Sequence, residues 1–407
     1  MDLPDHRRLG RQLNIFATEE QCGSGLPFWL PAGATIRREL ESYVIGLERR
    51  HGYRHVNTPV MAKRELYERS GHWEHYHEYM YPTMDLGSEQ LVLRPMLCPH
   101  HILIYDQQPR SWRELPLRIA EVGAMFRYER SGVVGGLSRV RQMTLNDGHV
   151  FCAPDQVAGE ITDILSMVQE AYRALGIPAP GLRLSRPGVG AKYAADPGIW
   201  QQSEAVIRQA LKRTGASFRE AEGEAAFYGP KLDLQVYDPQ GREETLSTIQ
   251  VDLLLPERFG LRYQRDDQDQ QLIMVHRSVI STMERMVAHL LEVHNGALPA
   301  WLSPTQVLVL PASVDARDYA TTVKNRLAAE GLRAELDERD STLGARIRSA
   351  QQQKIPYLAV VGPREQQAQT ISIRLRSGEQ LAPLAIEQFA AMAGRVVGSH
   401  TSSLTNT

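Results

Sequence analysis

A stretch of alternating residues between positions 117 and 152 constrains the fold more than any other part of the sequence. Phe126 and Tyr128 fall on one face of an extended chain, while Arg127 and Glu129 fall on the other. Glycines at 132, 135 and 136 mark a loop, and alternation resumes from Ser138 onward. The pattern predicts an antiparallel hairpin with one heavily charged face.

The charged face leaves two interpretations open. Arg127, Glu129, Arg139 and Arg141 would be costly on a buried sheet face unless each had a partner. The face is therefore either exposed and solvated, or it binds a charged ligand.

Further patterns extend this hairpin into a larger antiparallel domain. A helix is predicted near residues 36–51, followed by a short strand at 54–58. Two strands are predicted at 232–237 and 248–255, with a turn at 239–241, and a helix at 278–293 closes the region.

A second domain is predicted from residue 303. Strands at 307–310, 332–336, 357–361 and 370–376 alternate with helices near 315–330, 342–353 and 384–393, and Ser341 is the expected cap of the second helix. We therefore expect domains at 1–302 and 303–395, the second a small α/β domain with a mixed sheet, and a disordered tail at 396–407.

Composition excludes several classes of protein. The 407 residues carry a formal net charge of −2, so any contact with nucleic acid requires a local basic patch. Three scattered cysteines argue against a disulfide framework and for a reducing, cytoplasmic location. We expect no signal peptide, and no apolar run reaches the roughly 20 residues that span a bilayer.

Generic motifs are uninformative. The sequence has no phosphate-binding loop ending in Gly-Lys-Ser/Thr and no dinucleotide fingerprint. Cys98, His100 and His101 form a cluster of possible metal ligands, although such clusters are often incidental. His149 and His276 are, taken alone, ordinary structural histidines.

Taken in order, however, the motifs resemble one family. They are Gly71-His72-Trp73, Arg94-Pro95-Met96-Leu97-Cys98-Pro99, Phe126-Arg127-Tyr128-Glu129, Ser138-Arg139-Val140-Arg141, Tyr228-Gly229-Pro230-Lys231, His276-Arg277 and Met283-Glu284-Arg285. This series, from about residue 5 to 393, resembles the threonyl-tRNA synthetases, which belong to the class II aminoacyl-tRNA synthetases. The resemblance implies an α+β catalytic domain, an antiparallel sheet flanked by helices, followed by an anticodon-binding domain.

The resemblance also implies a zinc site and an amino-acid pocket. By position, Cys98, His149 and His276 hold one Zn²⁺, a donor set that suits this metal and leaves a coordination position open. The side chains expected around the substrate threonine are Met96, Asp147, Tyr228 and Gln250.

The nucleotide side follows from the same resemblance. Arg127 and Arg285 are the expected catalytic residues and bind ATP phosphates, together with Arg139. Glu129 and Met143 are expected against the adenine, and Mg²⁺ accompanies the phosphates.

The resemblance predicts tRNA(Thr) and a second copy of the chain as partners. Glu365 and Arg374 match positions that read anticodon bases, and Pro59 lies in the motif through which class II enzymes pair as homodimers. The second domain also carries a set of basic residues expected to face tRNA: Arg339, Arg346, Arg348, Lys354, Arg364, Arg374 and Arg376.

The sequence departs from the family at several substrate positions. An N-terminal editing region is not expected in this short form. Met143 and Leu145 replace an aromatic residue and a glutamine, Thr245 replaces a glutamine, and Ser281 and His100 replace glycines.

Three functions remain open on the sequence. The first is an editing-free threonine–tRNA ligase. The second is a paralogue that adenylates threonine, or a related β-hydroxy amino acid, and passes it to a carrier protein or small molecule in biosynthesis or resistance. The third is a non-catalytic regulator.

Overall fold

The protein is described here by a computed structural model covering residues 3–188 and 197–405. The helices of the first domain are α1 (His6–Gln12), α2 (Pro31–Arg50), α3 (Arg64–Arg69), α4 (His72–Tyr76), α5 (Cys98–Tyr105), α6 (Val157–Leu175), α7 (Pro197–Thr214), α8 (Leu254–Arg258) and α9 (Met283–Val293). Its strands are β1 (Phe16–Ala17), β2 (Phe28–Trp29), β3 (Arg54–His55), β4 (Met61–Lys63), β5 (Met84–Asp85), β6 (Gln90–Leu93), β7 (Leu117–Phe126), β8 (Gln142–Cys152), β9 (Gly181–Arg186), β10 (Phe218–Glu222), β11 (Lys231–Tyr237), β12 (Glu243–Asp252), β13 (Arg262–Arg265), β14 (Gln268–Gln271) and β15 (Ile273–Ser278).

An eight-stranded sheet with the order β10-β9-β11-β12-β15-β8-β7-β3 organises this domain. The six central strands are antiparallel, whereas β10 and β3 at the edges run parallel to their neighbours. A separate three-stranded sheet, β4-β6-β5, lies beside it. The α+β class predicted for the first domain is confirmed.

Helices α2, α6 and α9 cover one face of the large sheet. On α6, Ile161, Ile164, Leu165 and Val168 recur at helical spacing and are buried in the main core. The helix ends at Gly176, whose φ of +67° places it in the left-handed conformation that glycine tolerates best. This face is therefore a closed apolar layer, and the site must lie elsewhere.

Alternation along β8 separates that core from the opposite face. Val150 and Cys152 point into the helical core, while Phe151 belongs to a second apolar cluster across the sheet. Because successive strand residues point to opposite faces, His149 also projects away from the helical core.

Gly148 leaves room for the buried Arg277 side chain on the helical face of the sheet. Arg277 lies opposite Gly148 in the pairing of β15 with β8, and its guanidinium forms a fully buried ion pair with Glu48 of α2. A Cβ on Gly148 would lie 2.3 Å from the Arg277 Cζ. Glycine is therefore required at this position for packing.

The second domain has a five-stranded mixed sheet with the order β17-β16-β18-β19-β20. Its strands are β16 (Val307–Pro311), β17 (Ala334–Leu336), β18 (Tyr357–Val361), β19 (Thr370–Leu375) and β20 (Leu384–Ala385), and its helices are α10 (Arg317–Ala329), α11 (Leu343–Gln352), α12 (Pro363–Ala368) and α13 (Ile386–Gly398). The predicted small α/β domain is confirmed. None of the helices in the described part of either domain is long and apolar enough to cross a bilayer.

The hairpin of β7 and β8 is confirmed, but its strands are shorter than predicted. The ladder ends at the pair Phe126 and Gln142, so Arg127, Glu129 and Ser138 lie in the connection. The Arg141 side chain donates to the Glu129 carbonyl, so this backbone oxygen bonds to a side chain instead of a neighbouring strand.

Two helix starts also differ from the prediction. The helix expected from residue 278 begins at Met283, because β15 extends to Ser278 and Thr282 provides the cap. The cap expected at Ser341 is Thr342, whose hydroxyl accepts from the Ala345 N–H.

The expected disordered tail at 396–407 is wrong for the residues that the structure describes. Helix α13 continues to Gly398, Val396 is fully buried, and the Tyr357 hydroxyl donates to the Leu404 carbonyl at 2.8 Å. Apolar residues within this polar segment find partners that a local pattern does not reveal.

The two domains make specific contacts. Arg333 of the second domain pairs with Glu39 of α2 at 2.8 Å. The His400 ring lies 4.9 Å from the Tyr43 ring and 4.8 Å from the Trp301 ring, between centroids. The boundary at 302/303 stays a prediction, because residues 300–302 contribute to both apolar cores.

Gly148→Ala tests the packing of the buried ion pair. We expect it to lower the free energy of unfolding by about 3 kcal/mol, because the new methyl group must displace a buried charged side chain. Denaturant unfolding measures the change. Gly159→Ala is the matched control, because a methyl group on this α6 glycine would meet no neighbouring heavy atom within 4 Å. Equal stability of both variants would contradict this account.

Candidate active site

The side chains expected to bind metal, amino acid or ATP in the first domain all line one of two adjoining clefts. The first cleft is lined by Met96, Cys98, Arg127, Met143, Asp147, His149, Tyr228, Gln250, His276 and Arg285, among others. The second contains Glu129 and Arg139 and shares Met96, Arg127, Tyr228 and Gln250 with the first. Residues from distant parts of the chain therefore meet on the sheet face opposite the helical core.

Three potential metal ligands converge at one end of the first cleft. His149 and His276 are direct cross-strand partners on β8 and β15, and Cys98 is the first residue of α5. Their ligand atoms all lie within 4.8 Å of one another. The two histidines approach through His149 Nε2 and His276 Nδ1, which are 3.1 Å apart.

Neighbouring side chains hold each imidazole in position. His276 Nε2 lies 2.8 Å from the Asp252 carboxylate, so this nitrogen carries the proton and Nδ1 is free to bind a metal. His149 Nδ1 lies 2.7 Å from His101 Nδ1, and His101 in turn lies 3.4 Å from Glu121. Each histidine is therefore oriented through the nitrogen that faces away from the ligand cluster.

This donor set fits a tetrahedral metal ion. Two nitrogen ligands at the usual zinc distance are about 3.3 Å apart in a tetrahedron, close to the separation of His149 Nε2 and His276 Nδ1. Cys98 adds a soft sulfur donor. His100 is not part of the cluster: its ring faces Tyr67, and burial lowers its pKa to about 4.

Burial disfavours charge on two of the three potential ligands, Cys98 and His149. It raises the pKa of the Cys98 thiol well above its usual range and lowers that of His149 well below its own. Burial also raises the pKa of Asp147. A bound cation would favour the thiolate and carboxylate forms, so these groups suit a positively charged ligand.

Further polar and aromatic side chains lie beside the cluster. Asp147 Oδ2 is 3.9 Å from His149 Nε2 and faces the same cleft. The Tyr228 ring stacks on His276 with centroids 4.6 Å apart, and its hydroxyl donates to the Gln250 amide oxygen. Met96 Sδ contacts His72 Nε2 at 3.2 Å. The pocket therefore has an acidic wall and an aromatic wall.

The opposite end of the site is cationic. Arg127 Nε is buried and has no hydrogen-bond partner among the described residues. Desolvation, together with the charges of Arg127 and Arg139, lowers the pKa of Arg285. Arg139 pairs with Glu129 at 2.8 Å. Three guanidinium groups so close together favour a polyanionic ligand.

The family departures are visible in this cleft. Met143 packs on Leu97, Met125 and Val140, which makes one wall apolar, and Leu145 extends it. Ser281 has φ +63°, a conformation suited to the glycine that the family has at this position. The serine therefore keeps the backbone path at a cost of about 1 kcal/mol.

Of the two residues expected to read the anticodon, Arg374 lies on β19 and Glu365 on α12, where it contacts Ser372 of β19. Glu365 accepts from Ser372 Oγ at 2.8 Å and from the Gly362 N–H at 2.9 Å. Ser372 and Arg374 are two residues apart on the strand and project to the same side. Glu365 therefore also caps α12, which gives it a structural role.

The predicted basic surface of this domain is smaller than expected. Arg346 is buried and donates to backbone carbonyls of residues 311 and 337. Arg339 pairs with Asp337, and Arg376 donates to the Leu298 carbonyl. These three arginines stabilise the domain, so they are poor candidates for contacts with phosphate.

Sequence reasoning missed the residues that orient the ligands. Asp252 lies two positions after Gln250 on β12, so strand alternation predicts that the two side chains share a face. The sequence presents His101 only as one of several possible ligands, and nothing in it connects Glu121 with this histidine. Lys231 lines both clefts, and the motif that contains it assigns it no role.

Two family models match the chain. Residues 81–294 match the tRNA synthetase class II core domain (G, H, P, S and T), and residues 306–394 match an anticodon binding domain.

The chain is similar in sequence to threonine–tRNA ligases and in fold to a solved synthetase structure. A threonine–tRNA ligase of Halalkalibacterium halodurans is 49% identical over 395 residues, covering 96% of this chain and 61% of the relative. Threonine–tRNA ligase 1 of Bacillus subtilis is 49% identical over 393 residues, with the same coverage of 96% and 61%. The crystal structure of the RNA binding domain of threonyl-tRNA synthetase from Cryptosporidium parvum superposes with a TM-score of 0.91 at 32% identity, covering 98% of this chain and 99% of that one. The chain thus spans 61% of the length of these curated relatives.

Proposed function

The chain belongs to the class II aminoacyl-tRNA synthetases, among the threonyl enzymes, and from that premise we propose that it activates threonine with ATP and transfers it to tRNA(Thr). One observation carries this proposal: a Cys-His-His cluster and a carboxylate form one end of a cleft whose other end holds three arginines. The first end suits an amino acid with a hydroxyl group. The second suits a triphosphate.

Threonine activation requires that two anions approach each other. A carboxylate oxygen of threonine attacks the α-phosphorus, a new O–P bond forms, and the bond to pyrophosphate breaks. Arg127 would bind the α-phosphate and the threonine carboxylate, while Arg139 and Arg285 bind the γ-phosphate. Glu129 would accept from the adenine amino group, and Mg²⁺ accompanies the phosphates. Fixed positive charge is then the main source of rate enhancement, and no side-chain nucleophile is needed.

Zn²⁺ is the metal that we propose for Cys98, His149 and His276. Bound there, it would offer a coordination position to the amino and hydroxyl groups of threonine. Asp147 would accept a hydrogen bond from that hydroxyl. Valine has the same shape as threonine but no hydroxyl group. A metal that binds the hydroxyl would therefore distinguish threonine from valine better than an apolar pocket can.

A homodimer is the proposed assembly. On the three-stranded sheet, cross-strand pairing places four apolar side chains and Lys63 on one face; the apolar ones are Met61, Met84, Leu91 and Leu93. Met61 and Met84 are 41% and 37% exposed. This mostly apolar and partly exposed face begins at Met61, two residues after Pro59, and fits pairing with a second copy.

Amino-acid selectivity in ATP–pyrophosphate exchange tests the activity. We expect exchange with threonine, exchange with serine that is about 10–200-fold weaker because only a methyl group is lost, and none detectable with valine. Arg127→Gln should abolish exchange, whereas Arg130→Gln, a change at an exposed loop arginine, should not. A serine rate more than about 1000-fold below that of threonine would contradict this pocket.

Charging of total tRNA distinguishes the proposed acceptor. Threonylation supports the ligase, whereas exchange without charging would point to the paralogue with another acceptor.

Zinc affinity tests the residues behind the ligands. We expect Asp252→Asn and His101→Gln to weaken zinc binding by about 10–100-fold, since each removes the partner that orients a ligand. Competition with a chromophoric chelator measures the affinity without any turnover. His100→Gln is the control, because this neighbour lies outside the cluster. The assignment fails if only the control loses zinc.

Sedimentation at micromolar concentration tests the dimer. Met61→Asp is expected to shift the protein towards monomer, because a charge in an apolar interface must be desolvated. Val314→Asp replaces an exposed apolar residue of the second domain and should leave the dimer intact. A monomeric unmodified chain would refute the assembly.

A further inference from the structure

His6, the first residue of α1, is buried although it lies near the start of the described residues. It is only 7% exposed and lies between α9 and the connection that joins β7 to β8. Its Nδ1 is 2.7 Å from Glu292 Oε1, and its backbone N–H donates to the same oxygen at 3.1 Å. Its Nε2 lies 3.3 Å from both the Leu137 nitrogen and Ser138 Oγ.

These partners allow only one neutral form of the ring. A carboxylate accepts hydrogen bonds, so Nδ1 carries the proton and donates it to Glu292. Nε2 then offers a lone pair, which accepts from the Leu137 N–H. The ring is therefore a bridge between a buried carboxylate on one element and the backbone of another.

Gly136 shows that the connection is shaped around this ring. Its φ is +52°, and a Cβ there would lie 2.2 Å from His6 Nε2. Any other residue at 136 would push the imidazole away from the Leu137 N–H. Two independent features, a hydrogen bond and a close approach, thus meet at the same ring nitrogen.

The bridge joins two parts of the nucleotide site. Glu292 lies on α9 seven residues after Arg285, or about 10 Å along the helix. Leu137 lies two residues before Arg139. Neither His6 nor Glu292 lines the two clefts, so His6 can act on a ligand only through other residues.

We propose that His6 is a positioning residue for ATP, which fixes the distance between the arginine on α9 and the arginine in the connection between β7 and β8. This inference rests on the proposed activation of threonine with ATP. Without the bridge, the connection would be free to move relative to α9, and Arg139 would reach the γ-phosphate less often. The expected signature is a higher KM for ATP with an unchanged KM for threonine, whose pocket lies at the other end of the cleft.

His6→Leu and His6→Gln form the test, in threonine-dependent pyrophosphate exchange. Leucine keeps the apolar bulk but loses both hydrogen bonds, and we expect the KM for ATP to rise about tenfold or more, as for other misplaced binding groups. Glutamine offers one donor and one acceptor at similar reach and should restore most of the affinity. Arg8→Leu, at an exposed position of the same helix, is the matched control.

Hydrogen exchange supplies a readout that does not depend on activity. In His6→Leu the amides of residues 133–138 should exchange faster than in the unmodified protein, while those of β8 stay protected. Gly136→Ala leaves His6 in place but displaces its ring, so it should reproduce both effects if His6→Leu fails to fold. Folded variants with unchanged hydrogen exchange at residues 133–138 and an unchanged KM for ATP would overturn the inference. If the unmodified protein shows no threonine-dependent pyrophosphate exchange, the proposed function itself is refuted.

Discussion

A buried ion pair beneath the sheet determines how the rest of the first domain is arranged. Glu48 of α2 pairs with Arg277 of β15, accepts a hydrogen bond from the Asn146 side chain at 2.7 Å, and lies 3.0 Å from His55. Burial alone would raise the pKa of Glu48, but these partners outweigh it and lower the pKa. Losing one partner of such a pair costs about 3–5 kcal/mol, because the other charge stays buried. One carboxylate thus connects a helix with three strands, next to the residues that form the site.

The two ends of the site above this ion pair suit ligands of opposite charge. Its buried end offers thiol, imidazole and carboxylate groups, and burial disfavours the charged thiolate and carboxylate forms unless a cation is beside them. Its other end offers guanidinium groups that repel one another until an anion arrives. Each end is therefore unfavourable alone and is stabilised by its own ligand. Arg127 lines both clefts, so it can respond to both ligands at once.

The sequence predicted those features that depend on a local pattern or on a family motif. Alternation gave the hairpin of β7 and β8, and the motifs gave the residues that line the clefts. Contacts between distant elements were beyond both kinds of reasoning. Nothing local to His101 or Glu121 indicates that they support a ligand histidine on another strand, and alternation places Asp252 on the right face without identifying its partner. Helical periodicity places Ser281 within a helix, because a periodic pattern does not reveal a left-handed residue. The tail was predicted to be disordered because it has few apolar residues. Those few, such as Val396, pack against residues elsewhere in the fold.

Contacts between the domains have a mechanical consequence. Arg333 with Glu39, and His400 between Tyr43 and Trp301, hold the second domain against α2 and the end of the first. The face of β19 is thereby held at a set distance from the two clefts. Under the proposed function, a tRNA that contacts both must match that distance by bending, because the two domains are held together. The protein would then favour RNA molecules that span the distance with the least bending energy.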